Sequence, residues 1–236
     1  MKTNYKTRRG FTLVELLVVI VIIAALAGLT APQVIKMKKR GDLVEAMNNA
    51  KSMGLAFMQF DSEIGGYPDD TTVQTIKDIT GEDSTRTLKG NNSNAYFRQF
   101  IEAGVVGSEQ PFFCRTTYIK SKPNDVVKGA EALEAGEVGF AYIMAKSGVA
   151  ISSGSGRPIC ATAVKAGSTT GAMEADPYDN KSIVLFTDSS VRQLNVRKSD
   201  SKAVLPGGND ILKGGSDDTI WGVDITPILL PPESKQ

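Results

Sequence analysis

Histidine is absent from the 236 residues. That excludes Ser-His-Asp and Cys-His catalytic sets and imidazole metal sites, and with them most hydrolase designs. Cysteine occurs twice, at Cys114 and Cys160, too few for a cysteine-built zinc site and enough for one bridge at most. Net charge is nearly absent too: 27 basic residues against 26 acidic ones, +1 overall. A chain so balanced has no electrostatic footprint for general nucleic-acid binding. Glycines at Gly154–Gly156 and Gly167–Gly171 lack the strand–glycine–helix context of a phosphate cradle and read as loops. What remains points to a structural or binding protein, not an enzyme.

What the chain does contain is a single long apolar run, Phe11 to Ala31, interrupted by one carboxylate, Glu15. As a helix it spans about 30 Å, the thickness of a bilayer's hydrocarbon core. Before it stand Lys2, Lys6, Arg8 and Arg9 with no acid. Such a flank holds the amino terminus on the cytoplasmic side and places everything after Ala31 outside. Losing Met1–Gly10 removes four basic residues and no acidic one, turning +1 into −3. Glu15 is the anomaly, since a carboxylate inside a spanning segment costs about 2.5–3.5 kcal/mol. The plain alternative is an ordinary signal peptide or single-pass anchor in which Glu15 snorkels, with Ala24-Ala25-Leu26-Ala27 as the small-residue cut site.

Gly10-Phe11-Thr12-Leu13-Val14-Glu15 after Arg8-Arg9, followed by the apolar run, resembles the processing site of type IV prepilins and type II secretion pseudopilins. The resemblance covers about Arg8 to Ile64. It implies that a prepilin peptidase cuts between Gly10 and Phe11 and that Phe11 becomes the N-methylated first residue. It implies further that Glu15 meets the freed amine of its own chain or of a neighbouring subunit, and that the helix softens near Pro32. The implied partners are further copies or other pilins and pseudopilins, the peptidase and an inner-membrane assembly platform. The implied location is the inner membrane, then a periplasmic or cell-surface filament.

Beyond Ala31, Pro32 removes the bond to the Gly28 carbonyl, which opens or bends the helix. Lys36, Lys38, Lys39 and Arg40 form a basic collar suited to solvent or lipid headgroups. Then Leu43, Ala46, Ala50, Met53, Phe57, Phe60 and Ile64 recur at steps of three and four, an apolar stripe facing the chain's own domain. The helix is expected to run from Phe11 to about Ile64, ending at Gly65-Gly66-Tyr67-Pro68. Shorter helices are expected at Thr72–Ile79 and Ala95–Ala103, and strands at Pro111–Ile119, Gly139–Ala145 and Arg157–Val164. Ser182–Val196 carries the strongest hairpin signal, turning at Asp188-Ser189-Ser190, with a bulge or edge position suggested by its imperfect alternation. The expected architecture is α+β and pilin-like. Residues 1–10 are a basic leader, 11–31 the membrane or filament-core helix, 32–66 its amphipathic continuation, and 67–236 an extracytoplasmic globular domain.

Two further features remain open. Outside the cytoplasm Cys114 and Cys160 can bridge, closing a loop worth about 4 kcal/mol; packed as thiols, they serve as small core residues. Asp210, Asp217 and Asp218 in a glycine-rich tail resemble calcium-binding glycine–aspartate repeats, but the spacing is seven residues and not nine and only two copies occur, which favours a glycine-rich turn with solvated aspartates. Trp221 and Ile228–Leu230 are expected to dock this tail on the sheet, and Pro231–Gln236 to fray. Together these residues indicate a type IV-like filament subunit, in a secretion pseudopilus or a pilus. The alternative is a membrane-anchored extracytoplasmic binding or adhesive domain that never polymerises.

Overall fold

The computed structural model describes residues 11–81, 86–119 and 121–235. It divides into two compact units, one up to Arg40 and one from Gly41 onward. In the first, every residue from Phe11 to Lys38 is exposed. These residues belong to helix α1, Leu13–Ile64, which is long and apolar enough to cross a membrane. Its helical assignment continues through Pro32, while the Thr30 hydroxyl donates to the Leu26 carbonyl at 3.0 Å. Proline therefore deletes one bond without ending the helix.

In the second unit, α1 turns amphipathic as the spacing predicts. Ala46, Ala50, Met53, Phe57 and Phe60 are buried, with Leu43 and Ile64 packed at the ends of the stripe. Gly65, at φ +93°, stops the helix where a side chain would be strained. Helices α2 (Thr72–Thr80) and α3 (Ser93–Glu102) follow, close to their expected bounds. The Asn92 side chain caps α3 by accepting from Ala95 N at 3.0 Å. Aromatic edges join α3 to α1: Phe100 meets Phe57 at 4.8 Å and Phe60 at 5.1 Å between ring centroids.

The rest is a six-stranded antiparallel sheet: β1 (Ala141–Met144), β2 (Pro158–Thr162), β3 (Lys181–Phe186), β4 (Val191–Arg197), β5 (Lys202–Val204) and β6 (Ile228–Leu230). Their spatial order is β5-β4-β3-β2-β1-β6. The β3–β4 hairpin pairs regularly, Ile183 opposite Gln193 and Leu185 opposite Val191. The irregular register falls instead between β2 and β3, around Pro158 and Cys160. At the hairpin turn the Asp188 carboxylate accepts from Ser190 N at 2.9 Å.

Both faces of the sheet are covered. Tyr142, Met144, Ile183 and Leu185 face the core shared with α1 and α3. Ala141, Ile143, Val184, Phe186, Leu194 and Val196 face a second core closed by Ile211, Trp221 and Leu229. The tail therefore supplies a whole core layer and not only a docked end. Trp221 donates its indole N–H to the Ile211 carbonyl at 2.7 Å.

Two expectations are corrected. Pro111–Ile119 is not a strand. Pro111 seeds a 3-10 turn over Gln110–Phe112, and the carbonyls that follow are taken by groups other than a neighbouring strand. Gly139 N donates to Phe112 O at 2.9 Å, the Asn49 amide to Phe113 O at 2.8 Å, and the Tyr178 hydroxyl to Arg115 O at 2.7 Å. Gly139 is obligatory there, because an added Cβ would come within 2.6 Å of Cys114 N. Nor do residues 231–235 fray. Ser93 N donates to Pro231 O at 3.0 Å, Gly136 N to Glu233 O at 2.8 Å, and Glu233 N to the Asn94 side chain at 2.9 Å.

Phe57 is at the centre of the helix–sheet core, and truncating it leaves a cavity worth about 3–5 kcal/mol. We expect Phe57→Ala to lower the melting temperature of the detergent-solubilised chain by roughly 10 °C. Leu55→Ala, on the exposed face, shifts it little; equal shifts would contradict this packing.

Candidate functional site

The functional signal sits at the start of α1. Thr12 and Glu15 form a reciprocal cap. Thr12 N and the Thr12 hydroxyl each donate to Glu15 Oε2 at 2.8 Å, while Glu15 N donates to the Thr12 hydroxyl at 3.2 Å. This is the capping-box arrangement, threonine before the first turn and glutamate three residues on. It gives the carboxylate a local task beside the helix's positive end. The sequence signal for Thr12 is T-x-x-E before an apolar run, a capping pattern distinct from the lone-charge anomaly that marks Glu15.

Phe11 is 74% exposed, and Glu15 is exposed as well. The cap occupies Oε2, leaving the carboxylate accessible to a second donor. From Leu13 to Leu29 the helix offers exposed apolar side chains in all directions, with no polar face. An anchor needs such a surface, whereas a soluble helix would hide one side.

The prokaryotic N-terminal methylation motif matches residues 5–31. This chain carries a prepilin-type methylation motif. Among curated proteins it is 43% identical over 61 residues to the type IV major pilin protein PilA of Myxococcus xanthus, covering 26% of this chain and 28% of that one. It is 31% identical over 93 residues to the type II secretion system core protein G of Escherichia coli, covering 39% of this chain and 63% of that one. The chain thus spans less than two thirds of either relative's length. No solved structure matches it significantly.

Within the methylation motif, the first helical turn brings Thr12 and Glu15 together, and Phe11 directly precedes them. Gly10 and the basic leader lie outside the described residues. Pro32 follows the motif inside α1.

Away from the motif the other candidates separate. Cys114 and Cys160 are both buried and free. Cys114 Sγ lies 2.6 Å from the Thr162 hydroxyl, and burial pushes its thiol up to about 12. Burial raises Cys160 as well. Neither is a reactive thiolate, and both act as core packing.

The tail aspartates do not form a ligand set. Asp210 Oδ1 accepts from Leu212 N at 2.7 Å, Asp218 bonds the Ser216 hydroxyl and lies 3.6 Å from Lys213 Nζ, and Asp217 is exposed. The Ser216 hydroxyl, then the Lys213 ammonium, hold Asp218 below the usual carboxylate range. Among the described residues no three acidic, cysteine or histidine groups converge on a metal position. Asp210 and Asp218 are engaged in local turns.

Thr12→Val removes the cap hydroxyl and keeps Glu15. A lost N-cap costs about 0.5–2 kcal/mol, so amide protection in the first turn should fall roughly two- to thirtyfold in hydrogen exchange. Unchanged protection would show that the cap does not hold this turn.

Proposed function

We propose that this chain is a structural subunit of a type IV-like filament, assembled through its amino-terminal helix. The observation carrying the proposal is the methylation motif set on an apolar helix whose side chains are exposed. Lipid covers that surface in the waiting protomer, and the same surface of other copies covers it once the helices bundle.

Cleavage between Gly10 and Phe11 by a prepilin peptidase removes the basic leader, whose charges otherwise pin the amino terminus at the cytoplasmic face. It also frees an ammonium at Phe11, one turn from Glu15. In low-dielectric surroundings such a pair gains far more than in water. The geometry supports a double use of Glu15: Oε2 holds its own first turn, and the accessible carboxylate accepts a neighbour's amine. That second partner offsets the cost of keeping a carboxylate among apolar helices. Register follows, because the pair forms only when one helix start lies beside another copy's Glu15.

Pilus and secretion pseudopilus share this mechanism, and the two curated relatives come one from each system. The reading is therefore placed at the level of the filament. Its setting is the inner membrane with the sheet domain outside, then the assembled fibre together with its assembly platform. The absence of histidine and the inert cysteines support assembly over turnover.

Glu15→Leu should still be inserted, cleaved and methylated, yet yield at least about tenfold fewer filaments, since a loss of only 1.4 kcal/mol per contact is tenfold in affinity. Glu15→Asp should recover part of the yield. Normal filament yield from Glu15→Leu would contradict the proposed role of this carboxylate.

A further inference from the structure

In the unit from Gly41 onward, α1 has an outer face that its own domain leaves uncovered. Val44, Leu55 and Met58 recur on that face and are 54%, 67% and 55% exposed. The opposite flank is fully engaged: Asp42 pairs with Arg115 at 3.3 Å, Glu45 with Lys122 at 2.5 Å, and the Asn49 amide bonds Phe113 O. Lipid is an unsuitable cover, because these residues come after the charged collar Lys36–Arg40 in the chain.

The face ends in a pocket of about 310 Å³, lined by Met58 and Asp61 from the end of α1, by Tyr67 just after it, and by Thr187, Asp188 and Ser189 from the β3–β4 turn. Its floor is rigid, since the Tyr67 hydroxyl donates to Thr187 O at 3.2 Å and Ser189 Oγ reaches Gly54 O at 3.4 Å. Its rim is acidic. The Asp61 carboxylate pairs with no cation among the described residues, and Asp188 has only Arg192 Nη2 at 3.8 Å. The Tyr67 hydroxyl is pushed up to about 12 by burial first and by the charges of Asp61 and Asp188 next, which agrees with a negative pocket. An apolar wall below two carboxylates suits a lysine or arginine, whose stem lies on Met58 and whose head meets the acids.

We infer that this pocket and stripe receive the collar segment of a second copy, Val34–Arg40. That segment has the complementary chemistry: Lys36, Lys38 and Arg40 are exposed, and Val34, Ile35 and Met37 beside them are 61%, 58% and 69% exposed. Basic heads enter the acidic pocket while apolar neighbours cover Leu55 and Met58. The two surfaces differ, so the contact is heterologous and not a two-fold dimer, and on the filament reading it repeats along an open fibre. This contact rests on the filament reading and adds to it a domain-level docking site beyond the amino-terminal bundle.

Paired cysteines test the contact in the full chain, expressed with its processing and assembly machinery. Met37→Cys with Met58→Cys should give, on mild oxidation, a ladder of covalent multimers that neither single variant gives; the native cysteines are buried and stay silent. Met37→Cys with Leu55→Cys is the second pair, should the first fail to accumulate. Adding Asp61→Lys and Asp188→Lys should cut cross-linking at least about tenfold, and Lys38→Glu with Arg40→Glu should restore it. Filaments without a ladder from either pair overturn this contact and leave the filament reading standing. No filaments and no ladder overturn both, and a ladder without filaments keeps the contact but removes the fibre.

Discussion

An apolar helix without cover is the constraint on which the rest depends. Each fully buried aliphatic side chain is worth about 1.5–3 kcal/mol relative to water, and the residues from Leu13 to Leu29 bury almost none of theirs against their own chain. No rearrangement of a few loops supplies so much surface. On the filament reading proposed above, lipid covers it first and other copies afterwards. Glu15 fits that reading: its Oε2 is held by the local capping box, and the exposed carboxylate can accept a second donor.

The second unit meets a different demand. Its sheet is buried on both faces from β1 to β3, so strands such as β1 are apolar throughout, while β4 keeps the alternation of a half-exposed strand. One face is closed by the amphipathic half of α1 together with α3, the other by the tail that carries Trp221. Its six strands are four to seven residues long at the centre and three at both edges. Edge strand β6 is bracketed by Pro227, Pro231 and Pro232, whose missing N–H groups blunt it against further strand pairing. That edge of the sheet therefore resists strand-to-strand association.

Elements with a strong period were legible in the sequence. The α1 stripe, its stop at Gly65, helices α2 and α3, and the β3–β4 hairpin all follow from spacing and turn chemistry. The misread segments are those where local chemistry competes with pattern. Pro111–Ile119 looks apolar enough for a strand, but Pro111 favours a turn and side chains from α1 and elsewhere take its carbonyls. Strands β5 and β6 are too short for alternation to register. The glycine–aspartate tail stays ambiguous in the sequence because calcium sites and tight turns use the same residues; in the structure Asp210 and Asp218 bond within their own turns. At the helix start, Glu15 was visible as an anomaly, whereas its partner Thr12 was visible only to a search for caps.

The most direct test is the mass of the amino-terminal peptide of the chain purified from its own membranes or fibres. The account expects a peptide that begins at Phe11 and carries one extra methyl group on its amine. A peptide that begins at Met1 with an unmodified terminus, from protein that stays monomeric in lipid, would contradict it.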